Sequence, residues 1–268
     1  MKIKDWVRKN KKFFLEGDLQ YLLKIFFLKD YIFLYLEDYE LKGQEINYLE
    51  KIKKLYLKGM PLAYLIKHEN FFGLDFNVNR SVFVPRKETE LIVEEAIRII
   101  KTERLRYVLD LGCGCANIGL CIKRKVPSTE VVFSDISFSA LKVAKLNLFS
   151  HNIRGFLINC ELLSAFKKNI FDIIISNPPY VEEEAFGDSL KYEPSIALKA
   201  KGGVFFIKRI IENAYFHLKE GGKLILEFGY NQKKSTEKIL EGLSFWKVRK
   251  WIKDYSGFWR GVVLEKNG

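Results

Sequence analysis

The sequence predicts an α/β protein, in which a doubly wound, mostly parallel seven-stranded sheet follows a small helical domain and a linking β-hairpin. Three observations support this prediction. Apolar residues recur at helical spacing through residues 1–66. Aromatic and β-branched residues then crowd residues 67–85, as in paired strands. From residue 105 onward, short apolar strands alternate with helices, which is typical of a parallel sheet with crossover helices. We therefore place three segments at 1–66, 67–85 and 86–268.

Two apolar stripes in the first 66 residues predict several short helices that pack on one another. The first stripe comprises Trp6, Phe13, Phe14, Leu22, Leu23, Ile25, Phe26 and Phe27. The second comprises Ile46, Leu49, Ile52, Leu55 and Leu57. We expect both stripes to form a core, because large apolar side chains are usually found inside a folded domain.

The hairpin is predicted from two extended runs, residues 71–78 and 81–84, which lie on either side of the turn-forming pair Asn79 and Arg80. A helix is expected to begin at Glu88, because acidic residues in a first turn suit the helix dipole.

The remaining elements build the sheet and its covering helices. Strands are predicted near 107–110, 130–134, 155–159, 171–176, 223–228, 245–251 and 259–265. Helices are predicted at about 116–125, 137–149, 203–219 and 231–242. Only a short turn separates the last two strands, so we expect them to pair antiparallel at one edge of the sheet.

Composition and charge bound the possible functions. The 268 residues are 48% hydrophobic, which suits one large and one small domain. A net charge of +12 suits a polyanionic partner such as RNA or DNA, and a lysine-rich proteome explains it equally well. The start of the chain lacks the apolar core of a secretory signal. Charged residues also interrupt the most apolar early stretch, residues 21–36. We therefore expect a cytoplasmic protein without a membrane span.

The cysteines and histidines do not form a pattern typical of a metal site. Cys113 and Cys115 have no second Cys or His pair to complete a ligand set, and thiolates there would occupy the space that a cofactor needs. His68, His151 and His217 are scattered along the chain. We interpret the cysteines as small buried thiols in a reducing compartment and predict no metal.

A glycine loop follows the first strand of the predicted sheet. Asp110 ends that strand, and Gly112 and Gly114 allow the backbone to approach a ligand closely. Open α/β sheets bind ligands at this position. The next glycine, Gly119, is five residues further on, so the spacing differs from the dinucleotide-binding pattern. No phosphate-binding Lys-Ser or Lys-Thr pair follows either.

The second strand ends in Asp135. A carboxylate at this place can accept hydrogen bonds from both hydroxyls of a ribose, and its charge disfavours a 2′-phosphate. The alternative is an exposed aspartate that caps the next helix. With the glycine loop upstream, we favour the ribose interpretation.

The fourth strand, residues 171–176, leads directly into Asn177, Pro178, Pro179 and Tyr180. The prolines lack N–H donors, so nearby carbonyl groups stay available to accept hydrogen bonds. The asparagine adds a further acceptor, and the tyrosine adds a flat face. This set suits a planar group that carries an NH2. Together with the glycine loop, it predicts a methyltransferase that acts on a planar nitrogen.

An amide or exocyclic amine nitrogen is a poor nucleophile because its lone pair is delocalised. The Asn177 oxygen and the Pro178 carbonyl could hold both N–H groups and so aim the lone pair at an electrophilic methyl group. Tyr180 could pack on the planar group. No general base is required before transfer, because the proton leaves afterwards.

At these residues the chain resembles the release factor glutamine methyltransferase family (the HemK/PrmC type) over nearly its whole length. The resemblance extends beyond the glycine loop and the Asn-Pro-Pro-Tyr loop to residues 59–65, 84–91, 192–198, 202–203 and 222–232, and to Asp254 with Arg260. It implies a class I S-adenosyl-L-methionine-dependent methyltransferase with a helical substrate-recognition domain. The implied substrate is the glutamine amide in the Gly-Gly-Gln loop of class I peptide chain release factors.

The resemblance also implies roles for individual residues. The implied catalytic loop is Asn177, Pro178, Pro179 and Tyr180. The implied cofactor-binding residues are Asp110, Gly112, Cys113, Gly114, Cys115, Ala116, Asp135, Glu161, Leu162 and Asn177. Family members often have an acid and an aromatic residue near the adenine, where this chain has Glu161 and Leu162, so the aromatic stacking is lost. Two further departures, Lys67 for glycine and Asn70 for glutamate, fall at the entry to the hairpin.

Two rival substrates remain open. One is the glutamine of ribosomal protein uL3, whose methyltransferases share the Asn-Pro-Pro-Tyr loop; the pair Thr89 and Glu90 fits the release factor branch better. The other is adenine in DNA, which requires a flipped base. No inserted target-recognition segment is visible for it. A non-enzymatic adaptor is disfavoured, because both glycines, the acid and the loop are intact. We expect a monomer without a stable nucleic acid complex.

Overall fold

The computed structural model describes residues 1–15, 17–29, 32, 36, 38–180, 191–194 and 203–267. Residues 195–198 and Gly202, at which a family resemblance was noted, lie outside them. The chain divides into two compact units. The first contains the described residues of 1–68 together with Lys191 and Tyr192, and the second contains the other described residues from Glu69 to Asn267.

The first unit is helical. Its elements are α1 (Ile3–Asn10), a 3₁₀ turn (Lys11–Phe13), α2 (Asp18–Phe27), α3 (Gly43–Tyr56) and α4 (Leu62–Ile66). Trp6, Leu22 and Leu49 are fully buried in its core, and the Trp6 indole donates to Glu50 Oε1 at 3.0 Å. Phe13 is exposed, unlike the rest of its predicted stripe, and the ammonium groups of two lysines lie 5.1 and 5.5 Å from the centre of its ring.

A two-stranded hairpin opens the second part of the chain, and its turn is not where the sequence predicted it. Strand β1 (His68–Phe71) pairs with β2 (Leu74–Asn77) through a two-residue turn at Phe72 and Gly73. Both turn residues have positive φ, 54° and 73°, which is the conformation that matches the twist of a tight hairpin. The prediction of a strand at 81–84 was wrong. Asn79 does form a turn, because its carbonyl accepts from Val82 N, but no strand follows it.

The main sheet has seven strands in the order β5-β4-β3-β6-β7-β9-β8. The strands are β3 (Tyr107–Leu111), β4 (Glu130–Asp135), β5 (Phe156–Asn159), β6 (Phe171–Ser176), β7 (Leu218–Glu227), β8 (Trp246–Lys253) and β9 (Trp259–Lys266). Strands β3 to β7 run parallel, and β9 pairs antiparallel with both β7 and β8. The predicted doubly wound, mostly parallel sheet with an antiparallel edge is confirmed.

Helices cover both faces of this sheet. They are α5 (Glu88–Glu103), α6 (Asn117–Lys125), α7 (Phe138–Ser150), α8 (Phe205–His217) and α9 (Lys233–Leu240). Ile173, Ile174 and Ile175 are consecutive in β6 and are all fully buried. Because successive side chains of a strand point to opposite faces, their burial shows that the sheet is covered on both sides.

The strand order determines where a ligand can bind. Strand β3 lies between β4 on one side and β6 on the other. From β3 the chain first builds the sheet outward through β4 and β5, and it then returns to build the other side from β6, so the strand order reverses at β3. Open α/β sheets bind ligands at the carboxyl ends of strands beside this reversal. The glycine loop follows β3, Asp135 ends β4, and Asn177 follows β6, so all three predicted features meet at that edge.

Helix α6 packs very closely on this part of the sheet. A Cβ atom added at Gly119 would lie 2.5 Å from Phe133 Cε1 and 2.9 Å from Val131 Cγ1. Only glycine therefore permits this approach, which brings the Gly119 N–H within 2.8 Å of Asp110 Oδ2. The contact fixes the beginning of α6 beneath the glycine loop.

The opposite border of the sheet is formed by β8. Its register with β9 shifts between Val248 and Lys250, and most of its side chains are exposed. Arg249 and Lys250 form ion pairs with Glu265 and Glu95, at 3.1 and 2.8 Å. Among the helices that the structure describes, none has the length and apolar character of a membrane span.

Candidate active site

A cavity of about 300 Å³ lies at the carboxyl edge of β3, β4 and β6. That volume falls at the lower bound of the roughly 300–1,000 Å³ typical of small-molecule sites. Of the predicted site residues, it is lined by Gly112, Gly114, Asp135, Glu161, Leu162, Asn177, Pro178, Pro179 and Tyr180. The other four, Asp110, Cys113, Cys115 and Ala116, are buried and do not line it.

The glycine loop is held against the end of β4 by backbone hydrogen bonds. The N–H groups of Gly112 and Cys113 donate to the Ser134 carbonyl at 2.8 and 2.9 Å. Gly112 has φ +73° and Gly114 has φ +53°, and a Cβ atom added to either would meet no atom within 4 Å. Both glycines line the cavity, so such a Cβ would enter open space that a ligand could fill.

Replacing Gly112 by alanine should weaken cofactor binding by at least about tenfold, equivalent to about 1.4 kcal/mol, because the new methyl group enters the cavity. The matched control is Gly73→Ala in the hairpin turn, which has the same φ of +73° and equally open surroundings. Both variants should lose about 1–2 kcal/mol of unfolding free energy through backbone strain. Calorimetric titration and thermal unfolding measure the two effects. Equal cofactor affinity in the two variants would contradict the assignment of Gly112.

Asp135 connects the glycine loop to the start of α7. Its Oδ2 accepts from Gly114 N at 2.9 Å, and its Oδ1 accepts from Ser137 N at 2.8 Å. Ser137 is itself the N-cap of α7, because its Oγ accepts from Ala140 N. Burial raises the pKa of Asp135, while the two N–H groups lower it. The carboxylate is therefore held rigidly at the cavity wall, and the capping role falls to the serine.

Asp110 lies beneath the loop and is fully buried. Burial raises its pKa to about 7, although the Gly119 N–H opposes this shift. Its Oδ1 has no hydrogen-bond partner among the described residues. Burial also raises the pKa of Cys113, and that of Cys115 to about 12, so both thiols stay protonated. Asp110 thus supports the loop from below.

Replacing Asp110 by asparagine should stabilise the fold more at pH 8 than at pH 5. An unfolded aspartate releases its proton near 3.8, whereas folded Asp110 keeps it to about 7. Between those values the folded state binds the extra proton, so its stability falls as pH rises. Denaturant unfolding at both pH values measures the difference, and an equal effect at both would contradict it.

The matched control is Asp172→Asn. Burial favours the neutral form of Asp172, but the Lys219 ammonium and two backbone N–H groups hold its pKa below the ordinary 3.8. This carboxylate therefore stabilises the fold once it is ionised, and the stability is lost as pH falls through its folded pKa. Its replacement should be destabilising at pH 8, the opposite direction from Asp110.

The cavity is also lined by three residues that the sequence analysis did not identify, Phe205, Phe206 and Arg209. Glu161 is ion-paired with Arg209 at 2.6 Å, and the Arg209 guanidinium lies 5.7 Å from the centre of the Phe205 ring. Arg209, Phe205 and Phe206, all on α8, line the same cavity as Leu162. The aromatic surface that Leu162 cannot supply is thus present on another element. Two adjacent phenylalanines at the beginning of a predicted helix were the feature of the sequence from which this aromatic surface could have been predicted.

The Asn177–Tyr180 loop is fixed by side chains from three other elements, α5, the end of β7 and the start of α9. Asn177 Nδ2 donates to Thr89 Oγ1 at 3.1 Å, and Tyr180 OH donates to Glu227 Oε1 at 3.2 Å. The Gln232 amide donates to the Tyr180 carbonyl at 2.8 Å. An asparagine that turns its nitrogen toward Thr89 leaves its oxygen to accept from another donor. The loop is therefore held at both of its ends.

Glu227 ends β7 and is 1% exposed. Burial raises its pKa to about 7, and the nearby charge of Glu88 adds to this effect. The neighbouring Thr89 hydroxyl, the hydrogen bond from Tyr180 and the charge of Arg260 oppose it. A charged residue at the end of an apolar strand was the available signal in the sequence, but nothing there indicates its partners.

A further buried carboxylate, Glu193, supports the wall of the cavity. Glu193 accepts from Val84 N at 3.2 Å and forms an ion pair with Arg86, whose guanidinium lies 4.6 Å from the centre of the Phe83 ring. Phe83 lines the cavity. These contacts connect two stretches of the family resemblance, 84–91 and 192–198, through their described residues. Across the described part of the chain, no three His, Cys, Asp or Glu side chains lie together as a metal site would require.

Comparisons with solved structures and family descriptions agree with this architecture. Residues 87–258 match the family described as Methyltransferase small domain. A methyltransferase from Pyrococcus furiosus superposes with a TM-score of 0.53 at 21% identity, covering 85% of this chain and 100% of that one. A 16S rRNA N2 G1207 methyltransferase from Thermus thermophilus, solved with AdoMet and guanosine, gives a TM-score of 0.54 at 20% identity, covering 75% and 50%. The protein is a class I methyltransferase that uses S-adenosyl-L-methionine.

Curated relatives define the family more narrowly. The release factor glutamine methyltransferase of Clostridium botulinum is 34% identical over 259 residues, which cover 93% of this chain and 91% of the relative. That of Clostridium acetobutylicum is 33% identical over 286 aligned positions, with 100% of both chains covered. This chain therefore belongs to the release factor glutamine methyltransferase family.

Proposed function

We propose that this protein transfers a methyl group from S-adenosyl-L-methionine to the side-chain amide nitrogen of glutamine in the Gly-Gly-Gln loop of class I peptide chain release factors. The observation that carries the proposal is the Asn177 amide. Its nitrogen is held by Thr89 in a cavity that the glycine loop and Asp135 also line. That arrangement offers an acceptor to a substrate amide beside a place for a nucleoside cofactor.

The residues present fit the cofactor. Gly112 and Gly114 leave open space at their Cα atoms, and the Asp135 carboxylate lies at the wall with acceptor capacity beyond its two N–H bonds. Ser134 adds a buried hydroxyl without a partner among the described residues. In this proposal the loop holds the methionine part, Asp135 holds the ribose, and Leu162 with Phe205 borders the adenine. When bound, S-adenosyl-L-methionine supplies an electrophilic methyl group.

The chain's own residues orient the substrate. The Asn177 oxygen and the Pro178 carbonyl accept the two N–H groups of the glutamine amide, which turns its lone pair toward the methyl donor. Tyr180, held by Glu227 and by Gln232, packs against the planar amide. The proton leaves after the transfer, so the site needs no general base to begin.

The helical residues 1–66 form the substrate-recognition domain in this proposal, residues 67–85 the linker, and residues 86–268 the catalytic domain. The partner is the release factor, bound by a monomer in the cytoplasm without a stable nucleic acid complex. The full-length match to a release factor glutamine methyltransferase supports the release factor as the partner.

The test is transfer of a labelled methyl group from S-adenosyl-L-methionine to a purified class I release factor. A second copy of the factor has the Gly-Gly-Gln glutamine replaced by alanine. We expect label on the first copy and none on the second. Label on neither, with label on ribosomal protein uL3 or on adenine in DNA, would overturn the proposed substrate.

A further inference from the structure

We propose that Thr89 and Glu227 are positioning residues that select the orientation of the Asn177 side-chain amide, so that its oxygen rather than its nitrogen meets the substrate. The inference rests on the proposed function for the identity of the substrate. It concerns two residues outside the Asn-Pro-Pro-Tyr loop, one on α5 and one at the end of β7.

The first step concerns the single proton of the Thr89 hydroxyl. Thr89 is 2% exposed, so water does not satisfy it. It accepts from Asn177 Nδ2 at 3.1 Å, and it lies beside the Glu227 carboxylate, whose pKa it lowers. An ionised carboxylate has no proton to donate. An ionised Glu227 attracts the hydroxyl proton, which leaves the hydroxyl oxygen to accept from the NH2 end of Asn177, as the structure shows.

The second step concerns the substrate. A primary amide nitrogen presents two donors and accepts poorly. An Asn177 oxygen complements it, whereas an Asn177 NH2 group would place donor against donor. The two orientations have nearly the same shape, so packing alone does not distinguish them. The Thr89 hydroxyl distinguishes them, because the negative charge of Glu227 fixes the direction in which this hydroxyl donates its proton.

The third step concerns the charge of Glu227 itself. Tyr180 donates to Oε1 at 3.2 Å, and Arg260 also favours the carboxylate, while Glu88 opposes it. The positive charge of Arg260 is shared with two other carboxylates, because its guanidinium nitrogens lie 2.7 Å from Asp254 Oδ2 and 4.0 Å from Glu88 Oε1. A protonated Glu227 could donate to Thr89, whose proton would then turn toward Asn177 and favour the reversed amide. Activity should therefore rise as Glu227 ionises.

The experiment compares Thr89→Val, which removes the hydroxyl at nearly constant shape, with Thr89→Ser, which keeps it. Methyl transfer to the release factor gives kcat and KM, and calorimetric titration gives cofactor affinity. We expect kcat to fall about 100-fold in Thr89→Val, in keeping with a misplaced reacting group, and to return to within about threefold of wild type in Thr89→Ser. Cofactor affinity should not change.

The matched control is Thr129→Val, at a buried threonine whose hydroxyl donates to the Val126 carbonyl at 2.8 Å, outside the cavity lining. It should keep wild-type kcat. Glu227→Gln provides the pH test, because glutamine retains an accepting oxygen but cannot be protonated. The fall of kcat below about pH 7 should be present in the wild type and absent in Glu227→Gln. A fall that persists unchanged would assign it to another group and overturn the role of Glu227.

A readout without substrate separates this inference from the proposed function. The Asn177 side-chain NH2 signal in NMR should be protected from exchange in the wild type and lose that protection in Thr89→Val. An unchanged signal, or equal loss of kcat in the valine and serine variants, would overturn the inference. If the wild type fails to methylate the release factor while the NH2 signal still depends on Thr89, the proposed substrate fails and the positioning role stands.

Discussion

Turnover should fall by at least about a thousandfold when Asn177 is replaced by alanine, while the fold stays intact. The variant loses the oxygen that aligns the substrate amide. It also loses the Asn177 Nδ2 group, which donates a hydrogen bond to Thr89 Oγ1 in the wild type. An unaligned amide nitrogen keeps its lone pair in resonance with the carbonyl group, so few encounters lead to transfer.

Labelled methyl transfer under saturating cofactor measures this effect, and circular dichroism checks the fold. The control is Asn213→Ala on α8, where the side chain also donates an amide hydrogen bond, to the Arg209 carbonyl at 2.7 Å, but does not line the cavity. That variant should retain nearly full turnover. Normal turnover in Asn177→Ala would refute the proposed mechanism outright.

Replacing Asp135 by alanine should weaken cofactor binding by about 100-fold, which corresponds to about 2.7 kcal/mol. Hydrogen bonds to a charged group contribute about 1.5–3 kcal/mol, and the variant removes the acceptor for the ribose hydroxyls. It also releases Gly114 N and Ser137 N, so the loop and the start of α7 lose their common anchor.

The loss of these backbone hydrogen bonds needs its own control, and Asp172→Ala provides it. Asp172 likewise accepts from two backbone N–H groups, those of Arg106 and Tyr107 at 2.9 and 2.7 Å, and it lies outside the cavity lining. Both variants should lose stability, but only Asp135→Ala should lose cofactor affinity in a calorimetric titration. Comparable cofactor affinities in both variants would contradict the assignment of Asp135 to the cofactor site.

Local pattern was sufficient to predict the sheet and the edge at which its site lies. Apolar runs of strand length predict buried strands, and the glycine loop, the acid and the proline pair that follow them predict a ligand site at the strand ends. The loops after β3, β4 and β6 could therefore be predicted to contribute to a ligand site before their strands were known to be neighbours.

Contacts between distant residues could not be predicted in this way. Thr89 meets Asn177 across 88 positions, and Tyr180 meets Glu227 across 47. Each of these side chains has an ordinary local context, and only the fold makes them partners. The pairing of Glu161 with Arg209 was missed for the same reason, since a lone acid gives no indication of its counter-ion.

The hairpin turn was predicted at the wrong place because the residues with the higher turn propensity are not those at which the backbone forms the hairpin turn. Asn79 and Arg80 are good turn residues and do turn the chain, whereas Phe72 is an unusual residue at positive φ. Gly73 beside it was the available signal. The long aromatic run around it favoured one continuous strand, which concealed the turn.

The cations on β8 have a consequence for how copies of this protein meet. An outermost strand offers unpaired backbone groups to which a strand of another molecule could add. Here Lys247 and Lys253 are exposed along that strand, and a register shift interrupts its pairing. A second copy that approached edge to edge would bring its own cations against them and would have to align with an interrupted ladder. Part of the net charge of +12 therefore opposes edge-to-edge aggregation.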